Sequence, residues 1–415
     1  MKHFTLLLGM LYALSAYGQT TSTCDGGRFY DELYQVDVTT NIEYGQNTNF
    51  SGQSQKLRFN FYEPQGDTLE KRPLIIWAFG GSFLFGDKLS PDIVRLSNEF
   101  ASRGYTCAAI DYRLFFYPIN QEQTLKAVVR AVHDMKAAVR FFRKDALTAN
   151  VYNIDPDRIF VGGVSAGGIT AVQVGYLNLT EEIPAAIVAD SAAFGGIEGV
   201  SGNPGYPSNP NLIINLCGAV GDTNWMIPSD VPIVSLHGTS DGTVPYGSQE
   251  IEVTGTPIGF FVDGSGSLHV RADNVGIDNY LHTWQGVGHT PFINTSNGAI
   301  NEAYMDTVIW TTRDFMLPYA CREINTVGIN EASAALEFLV YPNPASGQVR
   351  INFASGAPSG LQITITDMAG KVVVQAPVQQ GQMSAVVEIE TLVPGIYFVQ
   401  AGHGGQIVNK KLVVY

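Results

Sequence analysis

The stretch Gly162-Gly163-Val164-Ser165-Ala166-Gly167-Gly168 constrains the fold of this chain more than any other. It sets a serine in a G-x-S-x-G pattern directly after the apolar run Ile159-Phe160-Val161. Glycines two positions either side of a serine permit a sharp strand-to-helix turn whose crowded backbone would reject a side chain. The letters alone are also those of an ordinary glycine-rich turn, so the flanks decide. Asp155-Pro156-Asp157-Arg158 reads as a turn that launches a short buried strand, and Ala166 to Tyr176 continues as a small-residue helix packed close to a sheet. The expected unit is strand, elbow, helix, with the Ser165 hydroxyl presented at the elbow.

Between Lys56 and Trp310 short β-rich runs alternate with longer helical ones, the pattern of a mostly parallel, doubly wound α/β sheet covered on both faces. Strands are expected over Leu57–Tyr62, Leu74–Phe79, Thr106–Tyr112, Ile159–Val164, Ala185–Ala189, Ile233–His237 and Leu281–Gln285. The clearest helix is Glu122 to Ala146, where apolar residues recur every three or four positions and bases gather toward the end. His133 on this helix reads as a structural histidine.

From about Ala335 the texture changes to short β-rich runs punctuated by Pro, Gly and Asn. Seven strands are expected: Phe338–Tyr341, Val349–Phe353, Leu361–Asp367, Lys371–Gln375, Ser384–Ile389, Gly395–Gln400 and Ile407–Val414. Their spacing suggests a small all-β, immunoglobulin-like sandwich. The chain therefore divides into a leader (1–18), an α/β domain (19–320), a linker (321–334) and the β domain (335–415).

Met1 to Gly18 carries a lysine near its start, a short apolar stretch and small residues at Ala16 and Gly18, as a secretory signal peptide does. No later segment approaches the roughly 20 apolar residues of a bilayer crossing, so no transmembrane segment is expected. The formal net charge of −14 argues against nucleic acid as a partner, because phosphate binding needs a basic footprint. Cys24, Cys107, Cys217 and Cys321 form an even set in an exported chain, and Cys24 and Cys321 stand near the two ends of the α/β domain, where a bridge would tie both down. Cys107 reads as a small buried hydrophobe. Neither a C-x-x-C pair nor a zinc-spaced Cys/His set is present, and no metal or other cofactor is expected. Asp263-Gly264-Ser265-Gly266-Ser267 resembles a calcium loop, but its twelfth position is Asn274 and it reads as a turn.

A serine nucleophile needs a base to take its proton, and the base needs a partner that holds its tautomer. On a doubly wound sheet these follow in the order serine, acid, histidine, on loops at the carboxyl ends of strands. Asp241, in the loop leaving Ile233–His237, and His289, just past Leu281–Gln285, fit that order. Asp190, at the end of Ala185–Ala189, is the rival acid, with Asp222 further behind. His237 reads as ending a strand beneath the acid loop and His282 as lying inside a strand, while His269 and His403 lack a suitable loop. Acyl transfer also develops an oxyanion, which preorganised N–H groups must meet. Gly81 and Ser82, after the apolar strand ending Trp77-Ala78-Phe79, together with Ala166, are the expected donors.

Taken together, FGGSF at 79–83, DYRL at 111–114, DPDRIFVGGVSAGG at 155–168, HGTSDGTVPY at 237–246 and GVGHT at 286–290 resemble the α/β-hydrolase superfamily. The likeness is to carboxylesterases of the hormone-sensitive-lipase and cholinesterase-like type. Phe79 stands where many such esterases place the histidine of HGGG, and Ser82 replaces the third glycine. VYPNPASGQVRI, ITDMAGKVV, LVPGIYFV and the terminal KKLVVY resemble the C-terminal sorting domain of the type IX secretion system, in which the domain is a targeting signal. The resemblances imply a secreted or surface-attached serine ester hydrolase that meets the secretion machinery through its C-terminal domain. Its substrate would be a small or polymer-linked ester, with acetyl xylan and feruloyl esters among the candidates. An inert binding or adhesion protein on a hydrolase scaffold, and a peptidase using the same triad, are the competing readings. Phe79, Phe83 and Phe85 are expected to wall an acyl site, and the loop from Phe194 to Pro210 to cover the cleft.

Overall fold

A computed structural model describes residues 20–185, 187–188, 194–294, 297–321, 323–325, 338–341, 343–353, 357–368, 370–403 and 406–414. The expected signal peptide and Asp190 lie outside these residues.

The strands of the first region are β1 (Thr20–Ser22), β2 (Val36–Thr48), β3 (Ser54–Pro64), β4 (Arg72–Ala78), β5 (Thr106–Ile110), β6 (Ile154–Val164), β7 (Leu212–Leu216), β8 (Ala219–Val220), β9 (Ile233–Gly238), β10 (Ser248–Val253), β11 (Thr256–Gly264), β12 (Asn279–Trp284) and β13 (Glu323–Asn325). Its helices are α1 (Pro91–Ala101), α2 (Gln121–Ala146), α3 (Ala166–Tyr176), α4 (Ser265–Val275) and α5 (Glu302–Ala320). Eight strands form one sheet in the order β12-β9-β7-β6-β4-β5-β3-β2. The six from β12 to β5 run parallel, and β3 and β2 continue the sheet antiparallel. Every residue of β4, β5, β7 and β9 is buried, which is why these strands read as largely apolar runs: helices cover both faces of a parallel sheet. Edge strand β2 instead presents mostly exposed polar residues.

Helix α2 starts where the Asn120 side chain accepts the Gln123 N–H, satisfying one orphan donor of the first turn, and Arg143 and Lys144 complement the carbonyl end. A disulfide joins Cys24 to Cys321 across 297 residues, and next to it β1 pairs antiparallel with β13. Closing so long a loop is worth about 2–4 kcal/mol, chiefly by restricting the unfolded chain. Cys107 and Cys217 are free and buried.

Of the strand expected over Ala185–Ala189, the described residues Ala185, Ile187 and Val188 form none. Ala185 and Ile187 stand in turns, and the N–H groups of Ile187 and Val188 both donate to the Pro184 carbonyl. Ile187 joins a small separate cluster with Leu125 and Ile183, away from the sheet, and Val188 is exposed. The neighbour of β6 is β7, which immediately follows the proline-rich stretch ending at Pro210. The hairpin β10–β11, extended by β8 into a three-stranded sheet, also lacks a sequence counterpart, and Asp263-Gly264 closes β11 in place of an isolated turn.

In the C-terminal region all seven expected strands form: β14 (Phe338–Tyr341), β15 (Gln348–Phe353), β16 (Gln362–Thr366), β17 (Val372–Pro377), β18 (Ser384–Glu388), β19 (Gly395–His403) and β20 (Gln406–Val414). They make two antiparallel sheets, β14-β15-β18 and β17-β16-β19-β20. Between them lies a hydrophobic core of its own, including Val349, Ile351, Ile363, Ile365, Val399 and Leu412.

Candidate active site

Ser165 sits between β6 and α3 at φ 56°, ψ −116°, a region that side-chain-bearing residues rarely occupy. Its N–H donates to the Leu216 carbonyl of β7 at 2.8 Å, and its carbonyl accepts the Ile169 N–H, so the strained turn is held from both sides. The glycines are needed for contact. A Cβ on Gly163 would overlap the backbone of Gly167, and one on Gly167 would overlap the Ala78 carbonyl at the end of β4. The turn can be this tight only because both positions lack a side chain.

The loops after β9 and β12 bring two more expected residues to this serine. His289 Nε2 lies 2.8 Å from Ser165 Oγ, and His289 Nδ1 lies 2.6 Å from Asp241 Oδ2. With Nδ1 facing a carboxylate, that nitrogen carries the proton, which leaves Nε2 as the acceptor turned toward the serine hydroxyl. The approach of the two loops rests on Gly238: a Cβ there would overlap the Val287 carbonyl, and the Ser240 N–H donates to that same carbonyl at 3.0 Å. Burial works against the charge of Asp241, but hydrogen bonds from His237 and His289 and from the Thr243 backbone outweigh it and hold the carboxyl well below the usual range. The group is therefore a carboxylate at any pH at which the protein would be assayed.

Gly81, Ser82 and Phe83 follow β4 in consecutive positive-φ conformations of 123°, 53° and 61°. Gly80 packs against the elbow, where a Cβ would stand 3.3 Å from Ser165 Cβ. Among the described residues the N–H groups of Gly81, Ser82 and Ala166 make no hydrogen bond, and Ser82 and Ala166 line the cleft beside Ser165. Uncommitted donors at a helix N-terminus and an adjacent strained turn suit an anion. Phe79 does not wall the cleft. It is buried and stacked on Tyr112 with ring centroids 4.4 Å apart, and the Tyr112 hydroxyl donates to its carbonyl at 2.8 Å, so this pair anchors the turn. Phe85 points into solvent at 62% exposure, which leaves Phe83 as the one aromatic of the three in the lining.

Sequence reasoning placed His237 at the end of a strand and gave it no part. In the structure His237 is fully buried and its Nε2 lies 3.0 Å from Asp241 Oδ2 and 3.1 Å from the Val244 carbonyl. Two acceptors around one nitrogen require it to be the protonated one, so His237 donates to the same carboxylate oxygen that His289 uses. Its Nδ1 meets Ser265 Oγ at 2.8 Å, and Ser265 Oγ accepts from Asn215 Nδ2 at 3.1 Å. The visible signal was the spacing His237-Gly-Thr-Ser-Asp241, which sets imidazole and carboxylate at the two ends of one tight loop. Of the remaining alternatives, His269 bonds Asn279, His282 lies within β12, and Asp222 caps a short 3-10 turn through the Asn224 N–H. His133 is structural, as expected: its Nε2 lies 2.7 Å from the Gly196 carbonyl and burial pushes it down to about 3.

A cleft opens beside Ser165. Its floor comes from α2 and the start of α3, with Leu125, Val128 and Ile169, and its roof from the hairpin, with Val253, Ile258 and Phe260. The loop from Phe194 to Pro210 contributes no residue to this lining and does not cover the cleft. It is fastened to α2, through Glu198 to Lys136 and Arg140 and through Ser201 to Asp134. Cys217 lies behind the relay, with donor atoms of Cys217, Asp241 and His289 within 4.8 Å of one another. Burial pushes this thiol up to about 12.

A doubly wound sheet with these loops at its carboxyl edge defines an α/β-hydrolase domain. Residues 59–194 match the family model BD-FAE, and residues 339–415 match the model described as Secretion system C-terminal sorting domain. The chain thus joins an esterase-like α/β-hydrolase domain to a type IX sorting domain, which marks it for secretion or surface attachment. Gut esterase 1 of Caenorhabditis elegans is 27% identical over 185 residues, covering 43% of this chain and 30% of that protein. Quorum-quenching protein AidA of Acinetobacter baumannii is 29% identical over 96 residues, 23% of this chain and 28% of that protein. The matched stretches thus span under a third of either relative's length. Thermogutta terrifontis esterase 2, phosphoramylated by tabun, superposes with a TM-score of 0.50 at 19% identity, covering 70% of this chain and 96% of that one, which shows a shared fold. No helix among the described residues is long and apolar enough to cross a membrane.

Proposed function

We propose that this protein is an exported serine carboxylic-ester hydrolase. Ser165 attacks the ester carbonyl as His289 takes its proton; the oxyanion is met by N–H groups of Ser82 and Ala166, with Gly81 alongside. His289 then protonates the departing alcohol, leaving an acyl-enzyme on Ser165. Water, deprotonated by His289, attacks that ester and returns the serine. Asp241 stays a carboxylate throughout, orienting His289 and stabilising its imidazolium. The observation that carries this reading is the unbroken relay from Ser165 Oγ through His289 to Asp241, at 2.8 and 2.6 Å, ending on a strained serine. The reading also takes residues 1–18 as a cleaved signal peptide and sets the domain limits at 19–320 and 335–415, joined by the linker 321–334.

The test is turnover of p-nitrophenyl butyrate by Ser165→Ala. Loss on the order of 10⁴-fold or more in kcat, with thermal stability unchanged, is expected. Retained turnover would transfer the chemistry to another group.

A further inference from the structure

The cleft beside Ser165 has a direction relative to the relay, and that direction bears on which half of an ester it can hold. His289 must lie within hydrogen-bond reach of the leaving oxygen in order to protonate it, so the alcohol half extends toward His289. Ser82, Ser165 and Ala166 line the cleft, whereas His289 does not, and the His289 side chain is 19% exposed to solvent. The half of the substrate that enters the cleft is therefore the one that does not carry the leaving oxygen.

The lining is mostly apolar, with Thr124, Gln173, Thr243 and Glu252 as its polar members besides Ser82 and Ser165. On β11 alternate residues Ile258, Phe260 and Val262 face inward, as the two-residue period of a strand requires, and Phe261 between them is 64% exposed. From β10, Ile251 and Val253 join them, opposite Val128 and Ile169 of the floor. The hairpin is held over α2 by packing of Phe260 against Leu125 and Ile187, and by Gln121 Nε2 donating to the Gly259 carbonyl at 2.6 Å. Its base is fixed where β11 pairs with β8, two residues of chain that follow β7 of the main sheet just beyond Cys217. An acetyl group would fill little of such a space, and most of a sugar's hydroxyls would be left without partners, since polar side chains are few among the valines and isoleucines.

Resting on the ester-hydrolase reading above, we infer that this cleft is the acyl site and that the enzyme selects esters of extended apolar carboxylic acids, leaving the alcohol half in solvent. The hairpin β10–β11 then sets acyl length. Each further methylene buried raises kcat/KM about three- to fourfold until the cleft is full.

The experiment is kcat/KM of the full chain on p-nitrophenyl acetate, butyrate, hexanoate and octanoate, and on methyl and hexyl acetate. A rise of at least about a hundredfold from acetate to octanoate, with no gain from methyl to hexyl acetate, is expected. Val253→Trp and Ile258→Trp, which fill the roof, should lower kcat/KM on octanoate at least about tenfold more than on acetate, collapsing the octanoate-to-acetate ratio. A flat or falling acyl series in the unmodified protein, or a gain that follows the alcohol chain, overturns the assignment. Failure of the hydrolase reading looks different: acetate turnover itself would survive Ser165→Ala.

Discussion

The two domains differ in where their backbones are strained. Among the described residues of the hydrolase domain twelve with side chains hold positive φ, and five of them, Ser82, Phe83, Ser165, Cys217 and Thr290, follow β4, β6, β7 and His289 at one end of the sheet. Among the described residues of the C-terminal sandwich positive φ occurs only at glycines, Gly347, Gly360, Gly370 and Gly381, where it costs little. Strain of about 1–3 kcal/mol per residue persists only where the surroundings over-determine it, and it gathers where geometry is used. The contrast separates a domain built around a reactive edge from one whose turns serve only to connect strands.

The contrast can be broken at its most crowded point. Gly81 has φ 123°, and a Cβ there would overlap the Phe85 carbonyl. Gly81→Val should displace the turn that carries the Ser82 N–H and lower kcat by about 10²–10³-fold, with KM for a short ester changed much less. Unchanged kcat would remove this turn from the oxyanion site.

A smaller effect is expected at His237, which shares the Asp241 oxygen with His289. His237→Leu should lower kcat by about 10–100-fold, through a carboxylate free to turn away from the base. It also concentrates the carboxylate charge on His289, so the acid limb of the kcat/KM profile should move to higher pH. His237→Gln keeps a donor in reach and should restore most of both. A loss of activity with an unmoved acid limb in all variants would mark His237 as packing alone.

Away from the reactive edge, charge should alter stability and leave turnover alone. Burial, with the Glu182 charge near, pushes Asp230 up to about 7. The unfolded chain ionises this carboxyl near pH 4, whereas the folded protein resists until about 7, so folding loses stability as pH rises across that window. Asp230→Asn should reduce the drop in melting temperature between pH 5 and pH 8, with kcat unchanged; an equal drop in both proteins would refute the shift. Smallest of all, Val399→Asp places a charge in the core of the sandwich and should unfold that domain while ester turnover stays within about twofold. A large loss of turnover would tie the tail to catalysis.

Much of this was legible in the sequence, for identifiable reasons. The relay could be read because each member follows a strand and stands among glycines, Gly163 and Gly167 about Ser165, Gly238 and Gly242 about Asp241, and Gly286 and Gly288 before His289. The seven sandwich strands were equally plain, since turns of Pro, Gly and Asn bound each of them. The rest depends on packing that no local pattern encodes. Ala185–Ala189 has the composition of a strand, yet two N–H groups turn back on Pro184. Hairpin β10–β11 hides its apolar face among polar residues such as Gln249, Glu250 and Thr254, because one side is in water and the other roofs the cleft. Phe79 and Phe85 are alike on paper, but one is locked against Tyr112 and the other faces solvent. The part of His237 appears only when two nitrogens are seen competing for one carboxylate oxygen.

The central claim is that Ser165 is the group made nucleophilic by His289 and Asp241. Treating the full chain with a fluorophosphonate and locating the adduct by peptide mass spectrometry tests it most directly. The account predicts one adduct, on Ser165, formed at least about 10³-fold more slowly in His289→Ala. Modification of a different residue, or no adduct in a preparation that still hydrolyses esters, would contradict it.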